Sequence, residues 1–193
     1  MSKQVTHIIC VLDRSGSMGS LAGEVIQSFN EFIDEQKKLP GKAILTLITF
    51  NHKAHVIHDK VKLSKVPYLT TKDFNPSGMT AIYDAVGTAI SANTDDKDVV
   101  MLIQTDGMEN SSQEYTSSQL QSMIKEKTAD DWEFLFMGAN IDTITAGGDI
   151  GLSSDKTMAF AASSVGIKAA YNSMSSVSAD YRMKKIVESE ENS

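Results

Sequence analysis

Apolar runs of strand length alternate with stretches of helical periodicity along almost the whole chain. Joined by short connections, such segments lay helices on both faces of a mostly parallel sheet. Residues 6–12 form a nearly continuous apolar run, the pattern of a strand buried on both faces. Residues 21–39 read as a helix, because Ala22, Val25, Ile26, Phe29, Phe32 and Ile33 fall on one stripe. Pro40-Gly41 stops it. Strands are expected at 43–50 and 54–61, and the three residues Asn51-His52-Lys53 between them are short enough for a hairpin. That pair is therefore antiparallel, with the third strand at the sheet edge.

A second helix is expected from about Thr80, with Ala81, Ile82, Ala85, Val86, Ala89 and Ile90 on its buried face. A fourth strand at 98–104, a helix at 117–127 and a fifth strand at 132–137 follow. Then come a short helix at 142–150, a sixth strand at 157–162 and a closing helix at 165–186. The expectation is an α/β fold: a doubly wound, mostly parallel six-stranded sheet with one antiparallel edge strand and helices on both faces. The chain reads as one domain, 1–187, with an acidic flexible tail, 188–193.

At 193 residues the chain suits one sizeable core better than two. Its net charge of −7, with no Lys/Arg block, argues against nucleic acid or an anionic membrane as the main partner. The single cysteine, Cys10, lies inside an apolar run and reads as a small core residue. No signal peptide or long apolar span follows the N-terminus, so the expected location is cytoplasmic.

Three loops carry the candidate chemistry. Asp13-Arg14-Ser15-Gly16-Ser17 follows the first strand. Pro76-Ser77-Gly78-Met79-Thr80 precedes the second helix. Thr105-Asp106-Gly107 follows the fourth strand. In open α/β sheets, ligands bind beyond the carboxyl ends of the strands, where Asp13 and Asp106 stand. Two carboxylates and three hydroxyls, with no thiol or imidazole, suit a hard cation such as Mg²⁺, Mn²⁺ or Ca²⁺ and disfavour zinc. A cation held with few direct anionic ligands stays electrophilic and seeks a carboxylate from outside.

Asp13-x-Ser15-x-Ser17 after an apolar strand, then Thr80, then Asp106-Gly107, resembles the metal-ion-dependent adhesion site of von Willebrand factor type A and integrin inserted domains. The resemblance extends over most of the chain in element order. It implies direct metal ligation by Ser15 and Ser17, and direct or water-mediated ligation by Asp13, Thr80 and Asp106. It also implies a non-enzymatic, intracellular bacterial or phage adaptor that captures a protein partner through an Asp or Glu of that partner.

Other readings of these residues are blander. Asp13 and Ser15 can cap a helix, and Asp106-Gly107 can be a plain turn. Met18, Met79 and Met108 each lie near a ligand position; they either fill gaps in the core or form an adaptable apolar rim. With Arg14 and Asn110 they are the candidate partner-binding residues. Glu109 reads as a solvated loop charge, and His52, His55 and His58 as surface or edge residues. Two rival functions share this architecture. One is a Mg²⁺-dependent phosphatase or hydrolase, for which the chain lacks a second aspartate at Ser15 and a lysine between Gln104 and Asn110. The other is a structural subunit in which the metal staples loops.

Overall fold

The computed structural model describes residues 4–191. Five long strands place the site. They are β1 (Val5–Asp13), β2 (Lys42–Phe50), β3 (Ala54–Lys62), β4 (Val99–Thr105) and β5 (Glu133–Ala139), with the short β6 (Thr157–Phe160) at one edge. The helices are α1 (Ala22–Lys38), α2 (Ile82–Ala92), α3 (Ser117–Ala129), α4 (Thr143–Asp149) and α5 (Ser164–Glu191). The sheet order is β3-β2-β1-β4-β5-β6, parallel throughout except for the β2–β3 pair. This is the expected doubly wound α/β sheet with one antiparallel edge strand.

β1 shows why the pattern was so apolar. Ile8, Cys10 and Leu12 pack against α1 and α5, whereas Ile9 and Val11 face the opposite core under α2 and α3. Alternate residues of one strand point to opposite faces, so a central strand needs apolar side chains at both parities. All five are fully buried, and each contributes roughly 1.5–3 kcal/mol by leaving water, Cys10 less.

The winding reverses beside β1. The chain passes from β1 through α1 to β2 on one side, then from β3 through α2 to β4 on the other. The crevice at this reversal, above the ends of β1 and β4, is where ligands lodge in sheets of this kind.

Several boundaries differ from the sequence expectation. A 3₁₀ turn, Gly16–Leu21, precedes α1. α2 begins at Ile82, because Thr80 and Ala81 spend their backbone N–H groups on Asn110 and Asn51 instead. β6 ends at Phe160. α5 continues to Glu191, well past 186, so 188–191 of the expected tail are helical; the last two residues lie outside the described residues.

One buried polar chain braces the far end of the sheet. His7 Nε2 lies 2.8 Å from Thr46 Oγ1, and His7 Nδ1 lies 2.7 Å from Asp96 Oδ2. The connectivity is that of a hydrolytic triad, but Thr46 and His7 are only 2% and 1% exposed, so no substrate reaches them. Burial lowers the His7 pKa more than the adjacent Asp96 carboxylate raises it, and the ring is a neutral imidazole at neutral pH. The unfolded chain's histidine titrates near about 6.5. Below that pH the unfolded state takes up a proton that the native state resists, so stability falls with pH. Urea midpoints between about pH 7.5 and 5.5 are expected to fall more for the wild type than for His7→Gln; parallel slopes would contradict this assignment.

Candidate metal centre

Asp13 ends β1, and its carboxylate is tied on both oxygens. Oδ1 accepts the Ser15 N–H at 2.6 Å, and Oδ2 accepts the Thr105 hydroxyl at 2.6 Å. The first bond folds the loop back over the strand end. The second links it to the end of β4. From there a chain of hydroxyls runs to the second carboxylate. Ser15 Oγ lies 3.1 Å from Ser17 Oγ, and Ser17 Oγ donates to Asp106 Oδ1 at 2.6 Å.

Thr80 joins from the third loop. Its Oγ1 lies 3.2 Å from where a Cβ on Gly107 would stand, which places it against the residue after Asp106. Its backbone is held from both sides: Thr80 N–H donates to Asn110 Oδ1 at 2.9 Å, and Asn110 N–H donates to Thr80 O at 3.0 Å. The second loop is also tied to the first. Gly16 N–H donates to Gly78 O, and Ser77 N–H donates to Arg14 O. Gly78 has φ +77°, and a Cβ there would stand 2.8 Å from the His52 ring. The positive φ favours glycine, and any side chain there would also displace the His52 ring.

The five predicted ligands therefore lie together at the reversal of the winding. Asp13, Ser15, Thr80 and Asp106 are buried, and Ser17 is exposed. Among the described residues no Lys, Arg or His pairs with Asp13 or Asp106. Burial, and secondarily the neighbouring Asp106 charge, raise the Asp13 pKa despite its hydrogen bonds. Two buried, uncompensated carboxylates beside three hydroxyls form an oxygen set that a divalent cation would neutralise. Among the described residues there is no cluster of three or more His, Cys, Asp or Glu that could hold a metal; the donors here are mainly hydroxyls.

The proposed rim divides. Met79 and Met108 are 51% and 45% exposed. Arg14 is half-buried at the lip. Asn110 is exposed but spends its amide oxygen on the Thr80 N–H, so it positions Thr80. Met18 corrects the sequence reading: it is fully buried in the core under α1 and α5. The 3₁₀ turn directs Ser17 outward and Met18 inward, so Met18→Ser would weaken the fold and leave the rim unchanged.

Sequence reasoning missed three supporting side chains. Thr105 bridges Asp13 to its own loop, where it also accepts the Gly107 N–H at 3.1 Å. Glu109 is not a free loop charge. It accepts the N–H groups of Ser111 and Ser112 and of Tyr83 in the first turn of α2. Asp84 accepts three more, from Gln113, Glu114 and Tyr115. Together they pin the loop that carries Asp106 to the N-terminus of α2, where negative charge is favoured.

No protein-family model matches the chain, and neither does any curated protein. Solved structures do match. The von Willebrand factor domain of the type V pili tip protein Mfa5 from Porphyromonas gingivalis superposes with a TM-score of 0.68 at 10% identity, over 91% of this chain and 95% of that one. Proximal thread matrix protein 1 from the mussel byssus gives 0.67 at 15% identity, over 92% of this chain. This chain covers 47% of the mussel protein's length. A further structure of that protein, with a zinc-occupied metal-ion-dependent adhesion motif, gives 0.66 at 15% identity over 93% of this chain and 46% of that one. At these identities the likeness is one of fold, and the fold is that of a von Willebrand factor type A domain.

Proposed function

We propose that this chain is a metal-dependent protein-binding module. A single divalent cation sits among Ser15, Ser17, Thr80, Asp13 and Asp106, and a partner's Asp or Glu completes its shell. Mg²⁺ is the first choice, with Mn²⁺ or Ca²⁺ as substitutes. The zinc reported in the mussel protein adds that ion to the candidates. The observation that carries the reading is the convergence of two buried, uncompensated carboxylates with three hydroxyls at the reversal of the sheet. The pili tip and byssal matrix roles named for the similar structures fit a module of attachment.

Catalysis is not part of the proposal. The Ser15 and Ser17 hydroxyls bond to each other and to the Asp13 and Asp106 carboxylates, and among the described residues no imidazole bonds to either hydroxyl. A nucleophile without an oriented base is a poor catalyst. The test uses immobilised peptides with one Asp or Glu, read by surface plasmon resonance. Chelation and Thr80→Ala are each expected to weaken binding by about thirtyfold or more, the cost of losing a hot-spot contact. Equal binding in Mg²⁺ and in chelator would move the partner to another face. Steady phosphate-ester turnover that disappears in Asp13→Ala would replace the proposal with a hydrolase.

A further inference from the structure

Arg14 stands between two ligand positions, and the strand register brings further basic side chains to it. Asp13 lies opposite Phe50, and Phe50 lies opposite Ala54. The Arg14 N–H donates to Phe50 O at 2.7 Å. Lys53 and His55 flank Ala54 in the chain, and His52 leans on Gly78. The groups feel one another. The His55 pKa is lowered, first by burial and then by the charges of Arg14, His52 and Lys53. His52 and Lys53 are exposed, and Arg14 and His55 are half-buried. Among the described residues neither Arg14 nor Lys53 belongs to an ion pair, and Arg14 Nε is buried without a hydrogen-bond partner. This local positive excess stands on a chain of net charge −7.

Two exposed apolar side chains, Met79 and Met108, adjoin the abutting pair Thr80 and Gly107. Basic side chains thus gather at the β2–β3 turn, and methionines follow the second and third loops. A chain of net negative charge repels acidic segments at long range. A basic flank at the lip offsets that repulsion where an acid has to approach. A guanidinium also matches a carboxylate in a two-pronged geometry that an ammonium lacks.

We infer that the partner segment carries a second acidic group, which Arg14 and Lys53 receive when the first acid reaches the cation. The chain then selects closely spaced acidic pairs over single acids. This rests on the metal-dependent carboxylate capture proposed above and adds the class of partner.

The probe is a set of immobilised peptides in a Gly/Ser background. Each carries either one Asp or two Asp separated by one to four residues. Binding is read by surface plasmon resonance in Mg²⁺ and in EDTA for wild type, Lys53→Glu and Arg14→Gln. Mg²⁺ affinity is measured in parallel by calorimetry, which separates loss of the second acid from loss of the metal. In Mg²⁺ the best two-acid peptide is expected to bind wild type about five- to tenfold more tightly than the one-acid peptide, consistent with one or two partly exposed ion pairs. In both variants that ratio is expected to fall toward one. Should Arg14→Gln also lose Mg²⁺, Lys53→Glu, remote from the ligands, decides. Equal affinity of wild type for one- and two-acid peptides overturns the inference and leaves single-acid capture standing, as does a preference that survives the substitutions. Binding unchanged in EDTA, or no binding at millimolar concentration, overturns both.

Discussion

Asp13→Asn is expected to melt at a higher temperature than wild type in EDTA and to lose the stabilisation that Mg²⁺ confers. Burial raises the Asp13 pKa, so the ionised carboxylate costs native stability at neutral pH when no cation is present. The sign follows from linkage: a carboxyl whose native pKa is raised favours folding at low pH and loses that contribution as pH rises past its unfolded value. Asparagine removes the charge and keeps the shape. Its Oδ1 can still accept the Ser15 N–H. Thr105 can turn its proton to Gly107 O, 3.0 Å away, and accept from the new amide. With Mg²⁺ the order reverses. A ligand at about a hundred times its Kd adds roughly 2.7 kcal/mol, or about 5–10 °C for a domain of this size. Wild type should show that shift and Asp13→Asn should not. Scanning calorimetry with and without Mg²⁺ checks both halves. A metal shift of equal size in the two proteins would remove Asp13 from the site.

Arg182→Ala is expected to cost about 3–5 kcal/mol, the cost of breaking a buried charged contact and emptying its space. Arg182 is 2% exposed. Its guanidinium donates to Gln36 O at 2.7 Å, to Gln36 Oε1 at 3.1 Å and to Pro40 O at 3.1 Å. Among the described residues no carboxylate pairs with it. The charge is held by carbonyl oxygens at and beyond the C-terminal end of α1, where a cation is favoured. The same contacts lock α5 to α1. Arg182→Met keeps most of the packing volume and should lose less, because only the carbonyl partners go unsatisfied. Urea denaturation of both variants measures this. A loss below about 1 kcal/mol for alanine would show that α5 is held elsewhere.

Arg182 also shows where the sequence stopped being legible. The buried stripe of α5 runs through Ile167, Ala170, Tyr171 and Met174, then continues through Ser178, Tyr181, Arg182 and Lys185 at the same helical spacing. The apolar half announced itself; the polar half carries no hydrophobic pattern, because it is held by the carbonyls of Gln36, Pro40 and Asp131 and by the acids Asp98, Asp131 and Glu188. The strands were easier. Central parallel strands are apolar at both parities, and the β2–β3 hairpin carried its own turn. β6 has only four residues and too little pattern to fix its end.

The clustering of the five candidate residues was legible for a different reason. Asp13, Ser15, Ser17 and Asp106 follow the ends of β1 and β4, which converge beside the reversal, and Thr80 comes to them from the loop before α2. Adjacency to a ligand did not tell which way a side chain points. Met18 and Met79 are each one residue from a candidate ligand, yet one is buried and the other exposed. The anchoring roles of Glu109 and Asp84 depend on backbone N–H groups that the loop exposes only once folded.

Calorimetric titration of Mg²⁺ and Mn²⁺ into wild type and Asp13→Asn tests the metal centre most directly. The geometry predicts one site per chain in wild type, saturating at or below millimolar cation and weakening as pH falls, because Asp13 must be ionised to hold the ion. It predicts no measurable binding in Asp13→Asn. No heat of binding in wild type at millimolar cation, or a site that survives unchanged in the variant, would contradict it.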